Sequence, residues 1–221
     1  MKSFKTPKTK VQRLPSRGHY DEETIFRILD AGFLCHVAFE IDHQPYIIPT
    51  AYGRNQNTLF LHGSAKSRML THLKNGAPAA ISVTHLDGLV LARSTFNSSM
   101  NYRSVVILAS GQEVIQKNEK MEALRLITEQ IIPQRWEEAR IPDDDELKAT
   151  MVLSFQIDEA SAKIRTGPPG DKASDYALDI WAGVLPYTIQ YADPVADPKL
   201  RAGIDLPISV QQAFQNGIKQ P

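Results

Sequence analysis

Residues 58–70, Thr-Leu-Phe-Leu-His-Gly-Ser-Ala-Lys-Ser-Arg-Met-Leu, concentrate the residue types that can do chemistry. A short apolar strand ends at His62. Gly63, Ser64 and Ala65 follow, then Lys66, Ser67 and Arg68, then Met69, Leu70 and Leu73 at a helical spacing. A strand that empties through a basic, hydroxyl-bearing loop into a helix start turns backbone N–H groups, Ser hydroxyls and two cations toward one point. A phosphate requires that chemistry. The same residues also suit a solvated turn with a Ser cap. The Gly-x-x-x-x-Gly-Lys-Ser/Thr spacing of a P-loop is missing.

Other side chains stand out singly. His62, at its strand end, can face a ligand or serve as a hydrogen-bonded structural imidazole. Arg103, between Tyr102 and Ser104, offers a fork that suits carbonyls or phosphate, or that ties the preceding loop by an ion pair. Tyr102 reads as packing with a polar tip. Trp181 presents a flat surface for a ring or for a core. Thr50, after Pro49, either donates from an irregular strand end or is an ordinary β-branched sheet residue. His36, His43, His72 and His85 lack paired-ligand spacing, so no metal site is expected. Cys35, the single cysteine, sits in an apolar run and reads as a buried small residue of a reducing compartment.

The elements that must position these groups follow from the periodicity. Residues 1–18 are polar and basic and read as a flexible arm. Asp21 caps a helix with Ile25, Ile28 and Leu29 on one face, ended by Gly32. The period then changes to short strands over 33–40, 46–52 and 58–62, with turns at 42–44 and 53–57. After the basic loop and a short helix, strands resume at 79–85 and 89–92, joined across Asp87-Gly88, then at 102–110 and 112–115. Met121, Leu124, Ile127 and Ile131 define a helix with Asn118 as cap, stopped by Pro133. Asp143, Asp144 and Asp145 open a short helix. A hairpin over 150–157 and 162–166 precedes the break at 167–170, and an ordered piece over 181–191 leads to a Pro-rich tail. The domain expected is 19–191, with 192–221 as tail. Six to nine short antiparallel strands with inserted helices, and no β-α-β alternation, predict a mainly β fold: a closed or split barrel.

The chain has 221 residues, 14 of them Pro and 12 Gly, which suits a turn-rich fold. Twenty-five basic and 25 acidic residues balance, so nothing global favours nucleic acid or an anionic membrane. No run of about 18 apolar residues predicts a membrane span, and the basic N-terminus lacks the apolar core of a secretory signal. A soluble, cytoplasmic protein is expected.

Several segments together resemble the FMN-binding split-barrel family typified by pyridoxamine 5′-phosphate oxidase, most closely the branch that includes the nitroimidazole-resistance proteins. They are Tyr-Ile-Ile-Pro-Thr-Ala-Tyr at 46–52, Leu-Phe-Leu-His-Gly-Ser with Lys66-Ser67-Arg68, Asn-Tyr-Arg-Ser-Val-Val at 101–106, Lys-Ile-Arg-Thr-Gly-Pro-Pro at 163–169 and Trp-Ala-Gly-Val-Leu-Pro at 181–186. The resemblance spans roughly residues 20–190 and implies a homodimer with FMN in a groove between subunits. By the same resemblance Ile48, Pro49, Thr50 and Ala51 run along the isoalloxazine, and Ser64, Lys66, Ser67 and Arg68 hold the phosphate. Asn101, Tyr102, Arg103 and Ser104 reach the flavin region, Trp181 packs near the ring, and His62 matches a functional His of the resistance proteins. The chain lacks the Arg-x-x-x-Leu-Lys pattern of the oxidases proper, so vitamin B6 oxidation is not implied. An FMN-dependent oxidoreductase of unidentified substrate is expected. The alternatives are a non-enzymatic flavin carrier or sensor, or a haem- or deazaflavin-binding relative with His62 as the placed axial candidate.

Overall fold

Strand alternation builds most of this chain, and the computed structural model describes it over residues 3–217. Lys2 of the basic arm and residues 218–221 of the tail lie outside the described residues. In chain order the elements are β1 (Gly18–His19), α1 (Glu22–Asp30), β2 (Leu34–Ile41), β3 (Gln44–Asn55), β4 (Thr58–Ser64), α2 (Arg68–Leu73), β5 (Asn75–Leu91) and β6 (Ser99–Glu113). They continue with α3 (Lys117–Ile131), α4 (Asp144–Ala149), β7 (Thr150–Gln156), β8 (Glu159–Arg165), β9 (Gly183–Pro186) and α5 (Ile208–Asn216).

All strand pairs are antiparallel, and nine strands join in the order β1-β8-β6-β7-β4-β3-β2-β5-β9. An additional β5–β6 pairing closes the ring β6-β7-β4-β3-β2-β5 into a barrel. The barrel is split at β6. Its Gly111–Glu113 end pairs with β7, while its 102–108 stretch pairs with β8. The expected antiparallel split barrel is therefore the fold observed.

Alternation fills the interior. Cys35, Val37 and Phe39 of β2, Leu59 and Leu61 of β4, and Leu153 and Phe155 of β7 enter one buried cluster. Helix α1 lays Ile25, Ile28 and Leu29 onto it, each contributing about 2 kcal/mol by burial. Its Asp21 cap accepts from Thr24 N at 2.8 Å. On the outer side, α3 covers β3 and β4 around Ala123, Leu124, Leu147 and Val152. Gly53 permits that approach, because a Cβ there would lie 2.7 Å from the Ile127 backbone nitrogen.

Five expectations are corrected, the first being the hairpin over 150–157 and 162–166, since β7 and β8 do not pair with each other but each with a different stretch of β6. The arm over residues 1–18 is anchored at Phe4, which is fully buried, donates to Tyr20 O and accepts from Ala160 N. Asp87-Gly88 is an irregularity inside the single long strand β5, since its neighbours stay paired with β6 on both sides. Helix α3 begins at Lys117 after Gln116, so Asn118 is inside the helix and caps nothing. The tail carries α5, fixed where Ser209 N donates to Glu138 Oε1 at 3.1 Å and its hydroxyl to Oε2 at 2.5 Å. Among the described residues no helix is long and apolar enough to cross a membrane.

Candidate functional site

The β3–β4 hairpin and the loop after it assemble the first group of site residues. Tyr52 of β3 lies opposite Leu61 of β4, while the 48–51 run just before it pairs with β2 and His62 to Ser64 pair with β7. Ser64 Oγ accepts from Lys66 N at 3.2 Å, and Ser67 caps α2 by accepting from Leu70 N at 3.4 Å. Arg68 lays its guanidinium 4.1 Å over the Tyr46 ring, tying the helix start back to β3. Tyr46 in turn stacks on Phe39, with ring centroids 5.5 Å apart. Lys66 and Arg68 are exposed, and neither has a carboxylate partner among the described residues. The loop therefore carries two uncompensated positive charges beside two Ser side chains, an arrangement that fits a phosphate.

His62 sits between these features, opposite Val152 of β7. Its Nδ1 is buried without a hydrogen-bond partner, and burial pushes its pKa below the ordinary histidine value. The imidazole is therefore neutral at neutral pH, with a ring nitrogen left unsatisfied.

The second group lies elsewhere. Asn101, Tyr102, Arg103 and Ser104 occupy the far part of β6, separated by about 30 Å of strand contour from its Glu113 end, which approaches β7. Asn101 is buried, donates to Gly167 O at 3.2 Å and accepts from Arg165 Nη1. Arg103 clasps Asp87, with Nε at 3.0 Å from Oδ2 and Nη2 at 2.8 Å from Oδ1. Its ion pair thus braces the β5 irregularity and leaves the loop after β5 alone. That loop has its own clamp, Asp171, which accepts from Arg93 N, Ser94 N, Arg93 Nη1 and Asn97 Nδ2. Ser104 Oγ donates to Lys163 O at 3.3 Å. Trp181 precedes β9, which pairs with the end of β5. At 69% exposure it is no core tryptophan.

The structure therefore gathers Ser64, Lys66, Ser67 and Arg68 on the one loop after His62, and places Ile48, Pro49, Thr50 and Ala51 on β3, residues 101–104 on β6 and Trp181 just before β9. Sequence reasoning missed Asp87, Asp171 and Tyr46 as partners of arginines. Only their position opposite a basic residue across a strand or loop signals them, and one sequence does not show that pairing. Among the described residues no cluster of His, Cys, Asp and Glu is built to hold a metal ion.

A closed antiparallel ring of strands opened at one member in this way defines the split-barrel class of fold. A family model described as pyridoxamine 5′-phosphate oxidase matches residues 21–164, and the chain belongs to that family. It is similar to the flavocytochrome Anf3 from Azotobacter vinelandii, at 37% identity over 94% of this chain and 96% of that one, with a TM-score of 0.88. It is also similar to a protein from Mycobacterium smegmatis described as FAD and haem binding, at 39% identity over 90% of this chain and 97% of that one, TM-score 0.86. A 5-nitroimidazole antibiotic resistance protein from Bacteroides thetaiotaomicron shares the fold at 19% identity, covering 66% of this chain and 86% of its own, TM-score 0.55. No curated protein sequence matches the chain.

Proposed function

We propose that this protein is a flavin-dependent oxidoreductase acting on a small molecule. The observation that carries the reading is the pair Lys66 and Arg68, exposed beside Ser64 and Ser67 with no carboxylate to neutralise them. The description of two well-covered relatives as a flavocytochrome and an FAD- and haem-binding protein supports it. A bound flavin would supply hydride and single-electron transfer, and the protein supplies binding, orientation and polarity. Lys66 and Arg68 bind the phosphate nearest the ring system, and the 48–51 run of β3 lies along the ring. FMN is the smallest flavin that carries such a phosphate. FAD carries the same phosphate, and chromatography of the flavin released by acid separates the two.

The working unit in this proposal is a homodimer. Leu34 and Ile47 are exposed on the outer face of the barrel, and Val106 is partly so. From 166 to 208 no residue is buried, although the run contains Tyr176, Ile180, Trp181, Tyr187 and Tyr191. Such surface is covered in soluble proteins. The free, buried thiol of Cys35 fits a cytoplasmic location.

The orphaned Nδ1 of His62 favours a second cofactor. A neutral imidazole with an unsatisfied nitrogen is a form that can bind iron, and His62 would be the residue of this chain to hold a haem iron, which would add one-electron transfer beside the flavin. The absorbance spectrum of the protein as purified tests both readings. Flavin bands with a Soret band that His62→Ala removes are expected. A colourless protein that rejects flavin overturns the proposal, and bound flavin without turnover of any electrophile makes it a carrier.

A further inference from the structure

We propose that a cleft between the β1 segment and the end of β8 binds a phosphate-bearing small molecule at a site separate from the β4–α2 loop. The cleft has a volume of about 580 Å³, and its polar lining is Ser16, Arg17, His19, Arg165 and Thr166, with no carboxylate among the lining residues. Elsewhere Arg54, Arg93, Arg103, Arg125 and Arg140 face carboxylates.

Arg165 carries the argument. It is 8% exposed, yet no Asp or Glu pairs with it among the described residues. Its acceptors are neutral: Nη1 donates to Asn101 Oδ1 and to Gly167 O, and Nη2 to Pro168 O. Gly167, at φ +95°, makes the turn that brings those carbonyls over the guanidinium. In Arg54, Arg103 and Arg125 the Nε–Nη2 edge grips a carboxylate. In Arg165 the same edge has only Pro168 O on Nη2, and Nε has no acceptor among the described residues. A guanidinium removed from water without a counter-charge is costly, and burial with the nearby Arg17 charge holds its pKa below the usual arginine value. An oxyanion on the open edge relieves both.

Arg17 and His19 add donors from the opposite wall, and Ser16 and Thr166 add hydroxyls. Asp21, whose carboxylate feels His19, is committed to capping α1 through Thr24 N. Two arginines, an imidazole and two hydroxyls exceed what a carboxylate's two oxygens need and match a phosphate's three terminal oxygens.

Inorganic phosphate titrated into the full protein, followed by the ring resonances of His19, tests the site. The Lys66→Ala/Arg68→Ala protein is used in parallel so that the other loop contributes nothing. Saturable movement of His19 in both proteins is expected, weakened roughly tenfold or more by Arg17→Gln and largely restored by Arg17→Lys. No saturation at millimolar phosphate overturns the proposal. So does binding that Arg17→Gln leaves unchanged, or binding that disappears in the Lys66→Ala/Arg68→Ala protein. Should Arg17→Gln fail to fold, His19→Asn replaces it, with the thermal shift induced by phosphate as readout.

Discussion

At the β5–β6 corner, Arg103 and Arg93 each grip a carboxylate, and by accepting these bonds Asp87 fastens a strand irregularity and Asp171 a loop. At the β4–α2 loop, Lys66 and Arg68 grip none, and Arg68 rests instead on the flat face of Tyr46. The same residue type therefore does different work in the two regions. A paired guanidinium holds the protein to itself, and its removal shows in stability. An unpaired one is held in place by its stem and ring contact, with its charge available to a ligand, and its removal shows in binding.

The largest effect expected is on the unpaired side. Lys66→Ala with Arg68→Ala removes two charge-assisted contacts, weakening phosphate-bearing flavin by about 3–6 kcal/mol if they add. Riboflavin, which lacks the phosphate, should bind with unchanged affinity. Titration showing equal losses for both ligands breaks the comparison.

On the paired side, Arg103→Met leaves Asp87 half-buried without its partner and should cost about 2 kcal/mol in denaturant unfolding. The reduction potential of bound flavin should scarcely move. A shifted potential with unchanged stability would transfer Arg103 from the bracing set to the ligand set.

Asp171 sharpens the contrast through pH. Burial pushes its pKa up, but the Arg93 and Ser94 backbone N–H groups and the Asn97 and Arg93 side chains outweigh it, so the carboxyl lies below its ordinary value. A depressed carboxylate contributes stability above its unfolded pKa of about 3.9, and that contribution is lost as pH falls through the lower folded value. Asp171→Asn should therefore be less stable than the parent at neutral pH, with the difference shrinking below about pH 4 in acid-unfolding curves.

The smallest effect belongs to a neutral bond in the core. Tyr52 donates to Leu29 O at 2.5 Å, while Gln130 Nε2 donates to the same oxygen at 3.2 Å. Tyr52→Phe leaves that carbonyl satisfied, and a loss of about 1 kcal/mol is expected by thermal unfolding. Cys35, whose pKa burial pushes up to about 12, should resist thiol reagents until the barrel unfolds.

Much of the barrel was legible because strands alternate: Cys35, Val37 and Phe39 point inward as their spacing implied. The misreadings share one cause, a local signal overruled by a distant partner. Asp87-Gly88 has the composition of a hairpin turn, but Arg103 across the sheet and continued pairing with β6 keep it in the strand. Phe4 is an apolar residue in a basic arm, and its place beside Phe26 in the main cluster makes it core. Helix α5 lies in a Pro-rich stretch and is held by Glu138, far back in the sequence. In the candidate site, residues 62–68 were legible because they are contiguous. The open edge of Arg165 was not, because it depends on what fails to come near.

The three-way pairing of β6 sets an order of events in time. Strand β5 precedes β6, so their hairpin can form as soon as residue 113 is made, yet the 102–108 edge has no partner until β8 is complete at Arg165. At 5–20 residues per second, synthesis of the intervening chain takes roughly 3–10 s. For that interval the nascent protein displays an unpaired, Val- and Ile-rich strand edge, the kind of surface that recruits other strands. Slowed translation between residues 113 and 165 should therefore lower soluble yield more than slowing after residue 165.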